Sequence, residues 1–416
     1  MRILALTTSL PFPISNGLAM RNASVLTALA CLGHEIHLVA LDNKTPLPGC
    51  HSEACKSITV IEHHLPSVSE RSGYRRRLRW LPYSLPYGTV ACRSEHAEIA
   101  IRELCRREAI DAILCETIDS SVNVPKDLRL PIIIDNHNVE HLIVARYLTH
   151  ETNPLRRLYA QLEYKKLRNW ERKACSNAAL VLACSDEDKS SLERLCSRVP
   201  IRVIPNVIDA AAYSDGNGHE VKNTVLYMGG MDWYPNRDAV EFFALRILPR
   251  LRQLVPSVKF VVAGRHPPPD FRGRLEREPG VRFTGTVRDM RPEISNAAVC
   301  VVPLRIGSGT RLKILEAAAM SRAIVSTSVG AEGLGFVEGE EIIRADTPDS
   351  FAQGVADLLH DSSRRKAMGQ RARSRVQQDY STEVLRRRLE NALGTIQLKS
   401  NRRDSRIQMA GAVAEW

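Results

Sequence analysis

Pro303-Leu304-Arg305-Ile306-Gly307-Ser308-Gly309-Thr310-Arg311-Leu312-Lys313-Ile314-Leu315-Glu316-Ala317 is the stretch on which the reading of this chain turns. The apolar run before it, 299–303, reads as a buried strand, and a helix is expected from about Thr310. Strand, glycine turn and helix in that order form the unit of a parallel α/β sheet. Gly307 and Gly309 let main-chain N–H groups come close to an anion, and the helix N-terminus adds partial positive charge. Arg311 and Lys313 bring two full charges to the same place. Glu316, one turn after Lys313, offers a carboxylate that can accept from two ribose hydroxyls. Phosphates on glycines and cations, with ribose on a carboxylate, is the layout of a nucleoside diphosphate site. The plainer alternative is a turn followed by an intrahelical Lys313–Glu316 pair worth about 0.3 kcal/mol. That leaves two glycines and an arginine at the junction unexplained.

The same alternation runs outward in both directions. Toward the C-terminus, strands are expected at 224–228, 258–263, 281–284, 299–303 and 323–327, with helices at 237–254, 310–320, 350–359 and 363–377. Toward the N-terminus, strands fall at 2–7, 36–41, 57–61, 112–115, 132–134, 179–183 and 202–205, with helices near 19–32 and 155–175. The polar, glycine-rich Asp215-Gly216-Asn217-Gly218 marks a break between the halves. The expected domains are therefore 1–212 and 213–380. A helix at 381–398 carries Leu385, Leu389, Leu393 and Ile396 on one face and is expected to cross back to the first domain. The tail 399–416, basic and then small and apolar, reads as disordered.

Composition bounds the function. At 416 residues the chain exceeds one ordinary core, and 44% apolar with 25% charged residues is globular. A net charge of +11 calls for an anionic partner. Aromatics at 5% leave little for stacking nucleic-acid bases, so no nucleic-acid partner is expected. Ten cysteines without a CxxC pair read as small buried thiols in a reducing compartment, and the Cys50, His51, Cys55, His63, His64 group, without a zinc-ligand spacing, as a polar loop. Neither a cofactor nor a bound metal is expected. The opening apolar run is too short for a secretion signal and is broken by Thr7, Thr8, Pro11 and Pro13. No run of about 18 apolar residues occurs, so a cytoplasmic protein is expected.

The Gly307–Glu316 stretch resembles the donor site of family-4, group 1 glycosyltransferases of the GT-B fold. So do Gly229-Gly230-Met231-Asp232-Trp233-Tyr234-Pro235-Asn236, Val261-Val262-Ala263-Gly264-Arg265, Phe283-Thr284-Gly285-Thr286-Val287 and Ser328-Val329-Gly330-Ala331-Glu332-Gly333-Leu334. The resemblance implies two Rossmann-like domains facing across a cleft. It implies that the C-terminal domain binds a nucleotide-sugar donor through Gly230, Arg265, Val287, Gly307, Ser308, Gly309, Thr310 and Glu316. Arg311 and Lys313 would stabilise the departing diphosphate. It further implies retention of anomeric configuration, no metal, and a glycan or lipid-linked acceptor. Many members carry a glutamate eight positions before the ribose-binding one; here that position is Ser308.

In the first half, Pro13-Ile14-Ser15-Asn16-Gly17 lies between strand and helix; the same resemblance implies that Asn16 and Gly17 face the diphosphate and acceptor, an ordinary strand-to-helix turn being the alternative. Asp135-Asn136-His137-Asn138-Val139-Glu140 follows a buried strand, where open α/β sheets bind ligands. His137 resembles the family histidine beside the transferred sugar, and Asp135 is expected to orient its ring. Ser185-Asp186-Glu187-Asp188 reads as a helix cap, and Asn206-Val207-Ile208-Asp209 as the entry to the interdomain hinge. Arg75, Arg76, Arg77, Arg79 and Trp80, with the 155–175 helix bearing Leu155, Tyr159, Leu162 and Trp170 on one face, offer a seat on an anionic membrane surface; Lys166 and Lys173 on that face leave a solvated helix packed on the first domain as the alternative. Two alternatives stand beside the transferase: a nucleotide-sugar 2-epimerase of the same fold, and a non-enzymatic basic protein bound to membrane or RNA.

Overall fold

Short runs of Ile, Leu, Val and Ala, apolar on both faces, form central parallel strands, because helices cover both sides of the sheet they build. In the computed structural model, which describes residues 1–42, 53–63, 82–213 and 220–395, thirteen strands, most of them of this kind, make two sheets. The first has β1 (Arg2–Thr7), β2 (Glu35–Asp42), β3 (Ser57–Glu62), β4 (Ala112–Cys115), β5 (Ile132–Asn136), β6 (Leu180–Ala183) and β7 (Ile201–Val203), in the order β3-β2-β1-β4-β5-β6-β7. The second has β8 (Thr224–Met228), β9 (Lys259–Ala263), β10 (Val281–Gly285), β11 (Val299–Val302), β12 (Ala323–Ser326) and β13 (Ile343–Arg344), in the order β10-β9-β8-β11-β12-β13. Every pairing is parallel.

The order of each sheet reverses once, between β1 and β4 and between β8 and β11. At such points the two neighbouring strands send their chains to opposite faces and leave a crevice beyond their carboxyl ends. These crevices position the site. Six helices frame them: α1 (Gly17–Cys31), α2 (Glu140–His150), α3 (Pro154–Ser176), α4 (Asp186–Leu195), α5 (Leu312–Ala319) and α6 (residues 382–395).

α6 lays Leu385, Leu389, Ala392 and Leu393 into the core that also holds Ile3, Ala5, Leu26 and Leu38 of the first sheet and α1. The chain thus returns to the first domain after finishing the second. Three details differ from the sequence reading. α5 begins at Leu312 rather than near Thr310, so Arg311 stands at the cap and Gly307–Thr310 remain loop. The 237–254 segment is two helices joined by a π turn at Phe243–Ile247, next to Pro249, whose missing N–H interrupts the ladder. β13 is only two residues long and carries no run of apolar residues to announce it. The nine described cysteines are unpaired. The Asp215–Gly218 break, the Arg75–Trp80 cluster, Cys50, His51, His64, Ile396 and the tail lie outside the described residues. Among the described residues no helix is long and apolar enough to cross a membrane.

Candidate active site

The β11–α5 loop enters the crevice of the second sheet with Gly307 at φ 154° and Gly309 at φ 74°. The second of these is left-handed backbone, open to glycine at little cost. Arg311 folds back over the loop, donating from Nη1 to Gly309 O at 2.7 Å and to Ser308 O. Its Nη2 is buried without a hydrogen-bond partner. An unpaired guanidinium nitrogen inside a protein costs desolvation energy that an arriving anion would return. Burial pulls the Arg311 pKa down, partly offset by Glu332 and Asp188.

Lys313 and Glu316 do not pair with each other, which disposes of the intrahelical alternative. Lys313 Nζ donates to Tyr227 OH at 2.9 Å and Asn236 Oδ1 at 3.0 Å and lies 4.3 Å from the centre of the Tyr227 ring. Burial, reinforced by the Arg311 charge, takes its pKa down to about 7. Glu316 accepts from Tyr213 OH at 3.0 Å, and burial pushes its carboxyl up. Gly229 lies so close that a Cβ there would sit 2.9 Å from Lys313 Nζ. Gly230 abuts Arg265, which pairs with Asp232 at 3.2 Å and reaches Ser15 O of the first domain at 3.4 Å. Val287, two residues past β10, is half-buried and among the described residues forms no hydrogen bond to this group.

The first domain supplies the opposite wall. Asn16 Oδ1 caps α1 by accepting from Ala19 N at 3.0 Å, so its side chain holds the helix start. Gly17 faces the donor helix, where a Cβ would sit 3.2 Å from Leu312 Cδ1. Asp135 Oδ2 lies 3.2 Å from His137 Nε2. Asp135 is itself gripped by the buried Arg21, at 2.9 and 2.5 Å, and stays ionised. Arg21 also donates to Ile204 O and Asn206 Oδ1. Asn206 passes the connection on, donating to Thr310 Oγ1 at 2.8 Å.

Ser308, where many relatives carry glutamate, is buried and turned to the first domain. It accepts from Val139 N at 2.9 Å and donates to Asp188 Oδ1 at 3.2 Å. Arg146 of α2 meets Glu332 with two 2.6 Å hydrogen bonds and also donates to Gly307 O. The donor loop is therefore stitched to the first domain. Asp188, Arg146, Tyr213, Tyr227 and Glu116 escaped the sequence reading as site residues.

Glu116, Asp135 and His137 bring three metal-ligating atoms within 4.8 Å of one another. Both Asp135 oxygens are committed to Arg21, whose guanidinium would face any cation there. The set does not fit a divalent metal.

A model of the family described as Glycosyltransferase Family 4 matches residues 15–212, and one described as Glycosyl transferases group 1 matches residues 222–361. An uncharacterized 44.6 kDa protein in the cps region of Klebsiella pneumoniae is 20% identical over 92% of this chain and 97% of its own. Among solved structures, a sucrose-phosphate synthase from Thermosynechococcus elongatus aligns at TM-score 0.71 with 18% identity, covering 96% of this chain and 100% of its own. A variant of S. aureus TarM, in complex with Fondaparinux, alpha-GlcNAc-glycerol and UDP, aligns at 0.68 with 11% identity over 95% and 100%. Anabaena HepE, in complex with UDP and glucose, aligns at 0.64 with 12% identity over 95% and 100%. Two Rossmann-like domains with facing switch points, one carrying a glycine turn and two half-buried cations, define a GT-B enzyme. The two family matches, lying end to end across both domains, place the chain among the family-4, group 1 glycosyltransferases, to which it belongs.

Proposed function

We propose that this enzyme moves a hexosyl group from a nucleoside-diphosphate sugar to a glycan or lipid-linked acceptor, in polysaccharide or glycoconjugate assembly. Anomeric configuration is retained and no metal takes part. The observation that carries the reading is Arg311 Nη2, buried without a partner beside Lys313 and the glycine turn. Two fixed cations placed where a diphosphate departs stabilise the charge that grows as the sugar–oxygen bond breaks. They do what a divalent ion would otherwise do. The bound UDP of TarM and HepE and the cps-region relative agree with a nucleotide donor and a polysaccharide context.

In the step proposed, the acceptor hydroxyl attacks from the face the diphosphate leaves. Its oxygen bonds to the anomeric carbon, the bond to the diphosphate breaks, and the hydroxyl proton passes to a phosphate oxygen. Closure of the domains excludes water that would hydrolyse the donor. Glu316, released from Tyr213, takes the ribose hydroxyls, and His137 stands at the sugar.

The test is binding and turnover with UDP-, GDP- and ADP-sugars in the presence of a chelator. One donor should bind without metal and be consumed faster with a glycan acceptor. Complete loss of binding on chelation refutes the metal-free reading. Free nucleotide released with an epimerised sugar, at a rate indifferent to acceptor, makes the protein a 2-epimerase. Glu316→Ala should weaken donor binding by about 1.5–3 kcal/mol, and His137→Ala should lower kcat more than donor affinity.

A further inference from the structure

Glu116 follows β4 directly and is wholly buried. Its Oε2 lies 3.4 Å from His137 Nε2, the nitrogen that Asp135 Oδ2 also meets at 3.2 Å. With its amide nitrogen turned inward, Asn22 of α1 donates to the same Glu116 oxygen at 3.1 Å, and that nitrogen also lies 3.3 Å from His137 Nε2. The other oxygen, Oε1, is buried with no partner. A core that only needed filling at this position would not carry a carboxyl with one oxygen unsatisfied.

The charges around the ring can be counted. Arg21 from α1 and Asp135 from β5 form a closed ion pair and cancel. What remains is Glu116 and the imidazole. A dry interior favours electroneutrality, so the two hold one proton between them: either carboxyl with neutral ring, or carboxylate with imidazolium. Burial raises the Glu116 carboxyl, opposed by its hydrogen bond to His137. Burial opposes charge on His137, and Asp135 and Glu116 outweigh it, so the ring titrates above its ordinary value. Two further titratable groups lie nearby. Cys184 Sγ, just past β6, donates to the His137 main-chain O at 3.4 Å rather than to the ring, and its thiol is raised by burial. Glu140 of α2, raised by burial to about 8, feels the His137 charge.

We propose that Glu116 is a positioning residue for the transfer reaction: it anchors His137 through Nε2 and holds one proton in common with it, leaving Nδ1 as the ring nitrogen for the donor sugar. The sugar contact rests on the glycosyltransferase reading; the anchoring does not. The main chain of His137 is held separately, against Gly309 of the donor loop. Glu116 therefore acts on ring tautomer and charge rather than on where the residue sits.

The test is a 15N NMR titration of the His137 ring in the full-length protein, assigned by His137→Gln, beside pH profiles of kcat and kcat/KM. In the wild type, above the ring's midpoint, where the shared proton has left and Glu116 is a carboxylate, the neutral ring should be the Nε2–H tautomer. Glu116→Gln, nearly isosteric, should lower the ring's midpoint by about one pH unit, a tenfold change in its proton affinity. The alkaline limb of kcat should move down with it, while donor Kd changes less than about threefold. Glu116→Asp, which keeps the charge, should fall between. An unchanged ring midpoint in Glu116→Gln, or a shifted ring with full activity and an unmoved pH profile, overturns the proposal. Should Glu116→Gln fail to fold, the wild-type spectrum decides: an Nδ1–H tautomer overturns it. If no donor is ever turned over, the function proposed falls, yet the ring titration still settles the anchoring.

Discussion

Gly309 of the second domain lies directly against the main chain of His137 in the first. A Cβ at this glycine would run into the His137 carbonyl oxygen and sit 2.6 Å from Asn138 Oδ1. Its φ of 74° is a second reason for glycine, since an L side chain there costs about 1–2 kcal/mol. The clash falls on the contact between the domains, and the φ penalty on the loop itself. Gly309→Ala should therefore fold but close poorly, lowering kcat/KM by at least about 5- to 30-fold. Steady-state kinetics with a thermal melt reads both. An active mutant would mean that turnover does not pass through this contact.

Lys313 makes donor affinity depend on pH. In the free enzyme its pKa is lowered to about 7, so above neutrality the ammonium has lost its proton. A diphosphate beside it favours the charged form and raises that pKa. Binding above neutrality must then take up a proton, and affinity falls as pH rises through about 7, by up to tenfold per unit. Below that value Lys313 is already charged and contributes no further slope. A nucleotide-sugar suits the experiment because its diphosphate does not titrate in this range. Calorimetry at pH 8 in buffers of different ionisation enthalpy should show net proton uptake, absent in Lys313→Arg.

Arg146 and Glu332 tie α2 to the loop after β12 with two hydrogen bonds, and each side chain is 26% exposed. Exposure discounts the pair, and bidentate geometry puts it at the upper end of the surface range, about 1 kcal/mol. In a double-mutant cycle on donor affinity, Arg146→Ala and Glu332→Gln should couple by that amount. Arg146→Ala alone should cost more, since it also frees Gly307 O. Strictly additive effects would show that the bridge does not hold the domains together.

The sequence disclosed what is written locally. Each buried strand is a short apolar run, and the donor loop shows itself because Gly307, Gly309, Arg311 and Lys313 are neighbours in the chain. Glu116 was hidden because its partners are distant: His137 is 21 residues away, and Arg21, which neutralises Asp135, is 114 residues from it. Arg21 lies on α1, and only the packing of that helix against the end of β5 shows its guanidinium buried on Asp135. A signal did exist, in a carboxylate placed immediately after a strand at the sheet's switch point. Ser308 and Asp188, 120 residues apart, met only once the domains were seen together. The partners of Lys313, Tyr227 and Asn236, lie 86 and 77 residues away, so the helical spacing of Lys313 and Glu316 was a poor guide to its bonds.

The long helix α3 needs a revised account of its faces. Trp170, expected on the apolar stripe, turns inward, donating from Nε1 to Ile118 O at 3.2 Å and packing beside Leu167 on the first core. The exposed stripe lies nearer the start: Leu155 is 78% exposed, Leu158 56% and Leu162 41%. At 3.6 residues per turn these three fall within an arc of about 60°. Exposed Lys165 and Arg172 follow along the same side of the helix. Leucines flanked by cations, on a chain of net charge +11, suit a bilayer surface with anionic headgroups. Each basic residue near such a surface contributes about 1 kcal/mol, and each leucine that enters it adds apolar burial. Leu155→Ser with Leu158→Ser and Leu162→Ser should reduce sedimentation with anionic vesicles several-fold and leave the melting temperature little changed, since all three side chains are exposed. Salt should weaken the wild type, and neutral vesicles should bind it poorly. Equal, negligible binding of wild type and mutant to both vesicles would leave the leucines without a lipid role and point the acceptor site to soluble glycans.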